Sequence, residues 1–277
     1  EGRLGTWCCA PRVLSADQVA RFWAEGYVLV EQAVTPGETR RAHAGIMDLV
    51  PADLHMPDGY ASHGGRIKPH NADGNHSYYT PELIPLLTSE RLYGAAVDIF
   101  GHEFLGVGDG SVGITLKDTS GPTLSQGLHL DMHRPEVVDE GTLRDKVGIG
   151  GCYYLNDVEA GGAGIYIIPG GPRIVTDRAL AQAASGEVAF PKAFDDYPAP
   201  IEITGAAGDF VMMHHLMPHA ASRNRLGRPR VAQFTRYRHL DAADARRARA
   251  TEDLFSSDQL AAMTPLGRKL FGLDAWN

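Results

Sequence analysis

Cysteine is scarce in this chain, which contains only Cys8, Cys9 and Cys152 among 277 residues. Two of them are adjacent and the third lies in an apolar run, so they do not form the spaced set that a disulfide framework needs. An excess of basic residues is also missing, with 26 Lys and Arg against 34 Asp and Glu. This balance argues against a nucleic-acid binder and slightly favours neutral or cationic small-molecule partners.

Long hydrophobic runs are absent as well. No stretch approaches the roughly 20 apolar residues that cross a bilayer, and Glu1–Gly5 lacks the apolar core of a secretion signal. We therefore expect no membrane association and a cytoplasmic location. The chain also lacks a Gly-x-Gly-x-x-Gly motif after its first strand, a Gly-Lys-Ser/Thr phosphate loop and a His-Glu-x-x-His helix. Dinucleotide-binding, nucleoside-triphosphate-binding and zinc-protease functions consequently have no support.

The composition that remains is that of a globular protein, with 43% hydrophobic and 22% charged residues. No internal repeat and no linker rich in Pro, Gly or Ser divides the chain, so we expect a single domain over residues 1–277. Such a chain is large enough to bury a substantial core. We expect a monomer or a homodimer.

The part from residue 14 to residue 100 is predicted to be mostly helical. Ser15 begins a capped helix that Gly26 ends, and a strand over Tyr27–Val30 leads to a second helix that runs from Pro36 to about Val50. Residues 51–79 have no apolar periodicity and read as a long surface loop. Loops of that length are often binding loops, and His70 and Asn71 are predicted substrate contacts within it.

Residues 103–240 have the pattern of a β core. The predicted strands are Phe104–Val107, Val112–Lys117, Gly127–Asp131, Val147–Leu155, Gly164–Ile168, Ile201–Ile203, Asp209–Met213 and Arg230–Arg238. One helix near Arg178–Ala184 interrupts them, and residues 241–277 form a helical tail. Strands without alternating long helices predict an all-β core with flanking helices, a jelly roll or a barrel rather than a parallel α/β sheet. Of these we expect the double-stranded β-helix, the cupin-like jelly roll.

The segment His129-Leu130-Asp131 is the first candidate for chemistry. In an extended strand, residues i and i+2 point the same way, so His129 and Asp131 would offer an imidazole and a carboxylate to one ion. A distant histidine would complete the set. Two histidines and one carboxylate leave three positions of an octahedral metal open, which suits non-heme Fe(II).

The third ligand has several candidates on the residues alone. His214, His215 and His219 all follow the predicted strand that ends at Met213. His133 would make a purely local three-ligand site, but three ligands spread along about 13 Å of strand reach one ion only if the strand bends. We therefore interpret His133 as a substrate contact.

A group of separate motifs resembles one known family. Gly208 and Asp209 precede a strand that leads to His219, and Asn224 and Arg230 follow it by five and eleven residues. Further matches are Leu14–Val30, Leu155-Asn156-Asp157, Gly161-Gly162 and Ile168-Pro169-Gly170-Gly171. Together these segments, over about residues 14–240, are similar to the phytanoyl-CoA dioxygenase family of Fe(II)/2-oxoglutarate oxygenases.

This resemblance implies a metal bound by His129, Asp131 and His219, with 2-oxoglutarate as cosubstrate and O2 as oxidant. It also implies that Arg230 holds the far carboxylate of 2-oxoglutarate, a role that suits a guanidinium because it can make two parallel charge-assisted hydrogen bonds. The chain departs from the family at Ala220-Ala221, where a hydroxyl usually assists that carboxylate. Thr115 or Ser222 is the expected replacement.

Two checks follow from these assignments. Arg230, Ala232, Phe234 and Arg236 share one face of a predicted strand, so at least two of them must point inward if Arg230 binds a cosubstrate. Asp131 occupies the position that a small residue fills in the related halogenases, which argues against halogenation.

The sequence thus predicts a 2-oxoglutarate-dependent non-heme iron dioxygenase. We expect hydroxylation, desaturation, epimerisation or oxidative cyclisation of a polar small molecule, of the sugar-containing or polyketide type made in antibiotic biosynthesis. His133 and Arg134 are further expected substrate contacts. The alternative is a metal-binding jelly roll without redox chemistry, such as a sugar epimerase or a ligand-binding module.

Overall fold

A computed structural model describes residues 13–49, 65–68, 80–125, 127–131, 148–186, 190–191 and 193–276. The helices are α1 (Ala16–Glu25), α2 (Pro36–Asp48), α3 (Ile84–Leu87), α4 (Glu90–Phe100), α5 (Gly171–Ala184), α6 (Ala242–Ala245), α7 (Ser257–Ala262) and α8 (Pro265–Phe271). The strands are β1 (Tyr27–Val30), β2 (Arg66–Ile67), β3 (Leu105–Thr115), β4 (Ile149–Tyr154), β5 (Ile165–Ile167), β6 (Ile201–Ile203), β7 (Phe210–His214), β8 (His219–Ala220) and β9 (Arg230–His239).

The strands form two antiparallel sheets. The major sheet has the order β1-β7-β4-β9-β3-β2 and the minor sheet the order β6-β5-β8. Neighbouring strands within both sheets run antiparallel. With helices packed on the outside, this architecture is the jelly roll, so the predicted fold class is confirmed.

Strands β4 and β7 are buried on both faces, which explains their continuous apolar sequences. In β7, Phe210 and Met212 belong to the core between the major sheet and the helices, whereas Val211 and Met213 face the minor sheet. In the neighbouring β4, Tyr153 likewise faces the helices. The space between the two sheets is therefore a second, smaller core.

The helices of the amino-terminal part begin where the cap residues predicted. Ser15 accepts a hydrogen bond from the backbone N–H of Gln18 and forms a full capping box, and Gly26 ends α1 with a φ of 87°. Phe22, on the inner side of α1, is fully buried. Asp98 of α4 accepts hydrogen bonds from the backbone N–H groups of Val13 and Leu14, so the start of the described chain is tied to the helical layer.

Several predicted boundaries were wrong. The two strands predicted over residues 104–117 are one long strand, β3, which bends at an irregularity between Asp109 and Val112. The helix predicted from Arg178 begins at Gly171, because Pro172 occupies the first turn, where a missing N–H costs nothing. Within the predicted loop 51–79, Arg66 and Ile67 form β2 and pair with Thr115 and Ile114.

One predicted strand is barely a strand. Over residues 127–131, the only ladder contact is an isolated antiparallel bridge between His129 and His219. The bridge joins this segment to His219, the first residue of β8, a strand that was not predicted from the sequence. Among the described residues, no helix has the length and apolar character that crossing a bilayer requires.

Candidate metal centre

A cavity of about 130 Å³ lies between the two sheets. Its lining residues are Arg66, Lys68, Ser111, His129, Asp131, Gly151, Ile165, Met213, His219, Ala221, Arg230, Phe234 and Arg236. Strands of the major sheet supply one wall, and β5, β8 and the segment around His129 supply the other. The cavity therefore occupies the place where the inter-sheet core is incomplete.

Three side chains in this cavity can hold one metal ion. His129, Asp131 and His219 each offer a ligand atom, and these atoms all lie within 4.8 Å of one another. The two histidines are held together by their backbones, since each N–H donates to the other residue's carbonyl at 3.0 Å. Their rings consequently lie close together, with centroids 4.4 Å apart and planes inclined at 47°. A long-range bridge, rather than a regular strand, brings the ligands together.

The chain reaches His219 through a tightly anchored turn and strand. Gly208 has a φ of 98°, a conformation that favours glycine. The Asp209 side chain then accepts hydrogen bonds from the backbone N–H groups of Gln32 and Ala206. Strand β7 starts at the next residue, and a short turn through Pro218 delivers His219 to the minor sheet.

Hydrogen bonds to the backbone orient both imidazoles. Nδ1 of His129 lies 3.1 Å from the carbonyl oxygen of Gly127, and Nδ1 of His219 lies 2.9 Å from that of Met217. A carbonyl oxygen only accepts, so each Nδ1 carries the proton and each neutral ring has its lone pair on Nε2. This is the arrangement of metal-ligating histidines, whose second nitrogen is fixed by a backbone or carboxylate acceptor.

Burial keeps one of these rings neutral. Desolvation lowers the pKa of His219 below its usual value, an effect that the nearby Asp131 carboxylate opposes. Nε2 of His219 lies 3.7 Å from Oδ1 of Asp131. The second carboxylate oxygen, Oδ2, accepts a hydrogen bond of 2.8 Å from Nη2 of Arg236. The donor set of two imidazoles and one carboxylate fits a divalent transition metal such as Fe(II).

The deep end of the cavity is lined by arginine. Thr115 of β3 is the cross-strand partner of Arg66 in β2 on one side and of Arg230 in β9 on the other. The three residues therefore form one row across the sheet. Arg230 is only 3% exposed, and its Nη2 donates to the Thr115 hydroxyl at 3.0 Å. Nε of Arg230 and Nε of Arg66 are buried without a hydrogen-bond partner.

A buried guanidinium beside a half-buried one is costly unless an anion joins them. The pKa of Arg66 falls to about 10, first because of burial and second because of the positive charge of Arg230. The unused Nε–H donors and the excess of positive charge are the complement of a carboxylate. The row of Arg66, Thr115 and Arg230 is therefore a ready site for an acidic ligand.

The local charge of the cavity differs from that of the chain. Arg66, Lys68, Arg230 and Arg236 line it against the single carboxylate of Asp131, whereas the formal net charge of the chain is −8. Fields of exposed charges are screened within about 8–10 Å in physiological salt, so the lining dominates inside the cavity. The expectation of neutral or cationic partners, drawn from the net charge, does not describe this site.

The alternation predicted for β9 places a row of side chains at the cavity. Arg230, Phe234 and Arg236 line the cavity, and Val231 and Tyr237, on the opposite face of the strand, belong to the core beneath the helices. The pattern of the sequence was therefore sufficient to find these residues. It did not reveal that Arg236 contacts Asp131, since that pairing joins residues 105 positions apart.

Other predicted site residues lie elsewhere. The hydroxyl of Ser222 donates to the carbonyl of Gly164 at 2.8 Å, and Ser222 is not among the cavity-lining residues. Of the two hydroxyls expected to assist Arg230, Thr115 is therefore the one that contacts it. The predicted substrate contacts His70, Asn71, His133 and Arg134 lie outside the described residues.

The two histidines that competed with His219 pack in a different environment. His214 and His215 stack on each other with ring centroids 4.6 Å apart, and His214 also lies against Phe22 and Trp23. Nδ1 of His214 accepts a hydrogen bond from the N–H of Leu216. Neither ring belongs to the group of potential metal ligands found among the described residues.

Comparisons with known proteins extend these observations. No family model and no curated protein sequence matches the chain. Among solved structures, it is similar to the non-heme alpha-ketoglutarate-dependent carbocyclase SnoK from nogalamycin biosynthesis, with a TM-score of 0.55 and 18% identity over 84% of this chain and 87% of that one. HygX from Streptomyces hygroscopicus, solved with nickel, 2-oxoglutarate and hygromycin B, has a TM-score of 0.53 and 16% identity over 88% and 95% of the two chains.

The epimerase SnoN, also from nogalamycin biosynthesis, is similar over 80% of this chain and 81% of its own, with a TM-score of 0.51 and 16% identity. At such identities, the likeness establishes a shared fold. The neighbours are non-heme 2-oxoglutarate-dependent enzymes, whereas membership of the phytanoyl-CoA dioxygenase family stays a prediction.

Proposed function

We propose that this chain is an Fe(II)- and 2-oxoglutarate-dependent dioxygenase that oxidises a polar small molecule. The observation that carries the proposal is the combination, in one cavity, of the triad His129, Asp131 and His219 with a buried arginine that has an unused donor. A metal-binding jelly roll without redox chemistry explains the triad. It does not explain the arginine row at the opposite end of the same cavity.

In this proposal, one end of the cavity binds the metal and the other end binds the far carboxylate of 2-oxoglutarate. His129, Asp131 and His219 hold the metal, and three of six octahedral positions then stay available for a chelating 2-oxo acid and O2. Arg230 and Thr115 bind the far carboxylate of 2-oxoglutarate, with Arg66 as a second cation on its other side. Bound Fe(II), with 2-oxoglutarate and O2, supplies the oxidation of a carbon–hydrogen bond while 2-oxoglutarate becomes succinate and CO2.

The protein itself contributes placement and exclusion of water. Phe234, Met213 and Ile165 add apolar side chains to the cavity lining, which would help to exclude water from a bound cosubstrate. Arg230, buried and held by Thr115, presents a preorganised fork, and little side-chain freedom is lost when a carboxylate binds.

The substrate belongs, in our proposal, to the sugar-containing or polyketide natural products. Two of the similar structures contain such molecules: HygX was solved with hygromycin B, and SnoN with nogalamycin RO.

Hydroxylation, desaturation, epimerisation and ring closure are all compatible with the site. Incubation of candidate metabolites with Fe(II), 2-oxoglutarate and air, followed by mass spectrometry, separates them. A gained oxygen indicates hydroxylation, and a loss of two hydrogens indicates desaturation or cyclisation. A new product of unchanged mass in H2O that gains one mass unit when the reaction is run in D2O indicates epimerisation.

An anaerobic titration tests the class of enzyme. Addition of 2-oxoglutarate to the Fe(II)-loaded protein should produce a weak visible charge-transfer band, because the 2-oxo acid chelates the iron. Metal binding without such a band would instead support an isomerase or a ligand-binding module.

Replacement of Arg230 tests its proposed role in binding 2-oxoglutarate. Arg230→Ala should weaken 2-oxoglutarate binding by about 100-fold or more, because two hydrogen bonds to a charged group contribute roughly 1.5–3 kcal/mol each. Arg228→Ala is the matched control, since the Arg228 side chain is 55% exposed and its nearest carboxylate, that of Glu159, lies 4.0 Å away. Titration of the band with 2-oxoglutarate measures both variants. An unchanged requirement in Arg230→Ala would remove this residue from the cosubstrate site.

A further inference from the structure

Arg236 occupies an unusual place on the cavity wall. Its cross-strand partners are glycines on both sides, Gly108 of β3 and Gly150 of β4. A Cβ built on Gly150 would lie 3.5 Å from Cγ and 3.9 Å from Nε of Arg236, so the side chain of Arg236 extends over this glycine. The bare backbone lets a long side chain lie along the sheet and reach Asp131.

The two carboxylate oxygens of Asp131 have different partners. Oδ2 of Asp131 accepts the 2.8 Å hydrogen bond from Arg236, while Oδ1 faces Nε2 of His219 at 3.7 Å. Oδ1 is thus the oxygen that lies beside the neighbouring ligand atom of His219, and Oδ2 is the one that Arg236 engages. The Arg236 side chain is 50% exposed and that of Asp131 is 35% exposed, so the pair lies near the mouth of the cavity.

We propose that Arg236 is a positioning residue that keeps Asp131 a one-oxygen ligand of the metal. This inference rests on the metal site of the proposed function. A carboxylate that turns both oxygens to an ion takes two coordination positions, and the vacancies needed for a 2-oxo acid and O2 then fall from three to two. Arg236 prevents this by engaging the second oxygen.

Electrostatic repulsion and the positioning role predict opposite changes in metal affinity when Arg236 is replaced, so the direction of the change distinguishes them. A guanidinium beside a cation site repels the cation, so removal of the charge alone should strengthen metal binding. Loss of a residue that orients a ligand should weaken it, by about tenfold at the lower end of such effects. An exposed ion pair contributes little to folding, so the effect should appear at the metal and not in the thermal stability of the metal-free protein.

The experiment compares three variants of the full chain by calorimetric titration with Ni²⁺ and with Co²⁺. Arg236→Gln should bind both ions about tenfold more weakly than the unaltered protein, and Arg236→Lys should recover part of the loss because one donor remains. Arg238→Gln is the matched control: it removes the same charge two residues along β9, at an exposed position. It should bind as tightly as the unaltered protein or slightly more tightly.

The absorption spectrum of the Co²⁺ protein supplies a second readout. A second Asp131 oxygen on the ion changes the coordination sphere, so the visible bands of Arg236→Gln should differ in shape and intensity from those of Arg238→Gln. Equal or tighter binding in Arg236→Gln, with an unaltered spectrum, would overturn the positioning role and leave the proposed function intact. Failure of the unaltered protein to bind either ion would instead overturn the metal site itself.

Discussion

Two pairs of neighbouring histidine rings, one tilted and one stacked, differ in the backbone groups that their Nδ1 atoms meet. In the cavity pair, His129 and His219, each Nδ1 meets a backbone carbonyl and must donate. In the packed pair, His214 and His215, Nδ1 meets the backbone N–H of Leu216 at 3.0 Å and of Gly148 at 2.9 Å. An N–H cannot accept, so Nδ1 of His214 accepts and its proton lies on Nε2. Nδ1 of His215 also lies 3.3 Å from the carbonyl oxygen of Gly148, and the shorter contact with the Gly148 N–H favours the same accepting form.

This difference determines which histidines can bind a metal. A neutral ring whose Nδ1 donates has a free lone pair on Nε2, and in the cavity pair that atom faces the carboxylate of Asp131. A neutral ring whose Nδ1 accepts from the backbone has no free lone pair. Burial alone does not separate the pairs, because desolvation lowers the pKa of His214, His215 and His219 alike. The type of backbone group at Nδ1 does.

The largest expected effect is on metal affinity. His219→Ala should reduce Ni²⁺ affinity by more than about 100-fold, the upper end of effects from residues that only support a ligand. His215→Ala should bind Ni²⁺ within about threefold of the unaltered protein, since its ring does not face the site. Calorimetric titration measures both. The reverse order of affinities would make His215 the ligand and would break the comparison.

A smaller effect is expected on stability as a function of pH. Burial lowers the pKa of His215 to about 4, so between about pH 6.5 and 4 the unfolded chain binds a proton that the folded protein does not. The free energy of unfolding should therefore be fully retained above pH 6.5. It should decline as the pH falls, by about 2–3 kcal/mol from this residue.

The His215→Gln variant isolates this contribution, because glutamine does not titrate and its side-chain oxygen can accept from Gly148. Urea unfolding of the metal-free protein at several pH values should give a flatter pH dependence for the variant. Identical slopes for the two proteins would show that the packed pair is not held neutral by the fold.

The smallest expected effect is a difference in the free energy of unfolding between alanine variants of the packed pair and of the cavity pair. His214→Ala should lower the free energy of unfolding by about 2 kcal/mol, since it leaves a void against Phe22 and Trp23 and removes the partner of the Leu216 N–H. His219→Ala should cost less than about 1 kcal/mol in the absence of metal, because its ring borders a cavity that water can enter. Urea unfolding in the presence of a chelator checks both values. Equal losses would mean that the cavity pair also holds the fold together.

The predicted features that succeeded depend on local pattern. The capping box at Ser15 and the positive φ of Gly26 follow from a few adjacent residues. The alternation along β9 likewise needed only the sequence to direct Arg230 and Arg236 to one face. The helix predicted from Arg178 is an exception, because it begins earlier, at Gly171, where Pro172 occupies the first turn.

By itself, the sequence determined the jelly-roll class, the spacing of His129 and Asp131, and a short set of candidates for the third ligand. The family resemblance singled out His219 among His214, His215 and His219. Only the tertiary structure shows that its ring, and neither of the other two, lies beside His129 and Asp131, because the surroundings of each ring come from the fold. The row of Arg66, Thr115 and Arg230 and the contact of Arg236 with Asp131 also join residues from distant parts of the chain. Hydrogen-bond partners at such separations are set by how the two sheets pack, and no local periodicity encodes them.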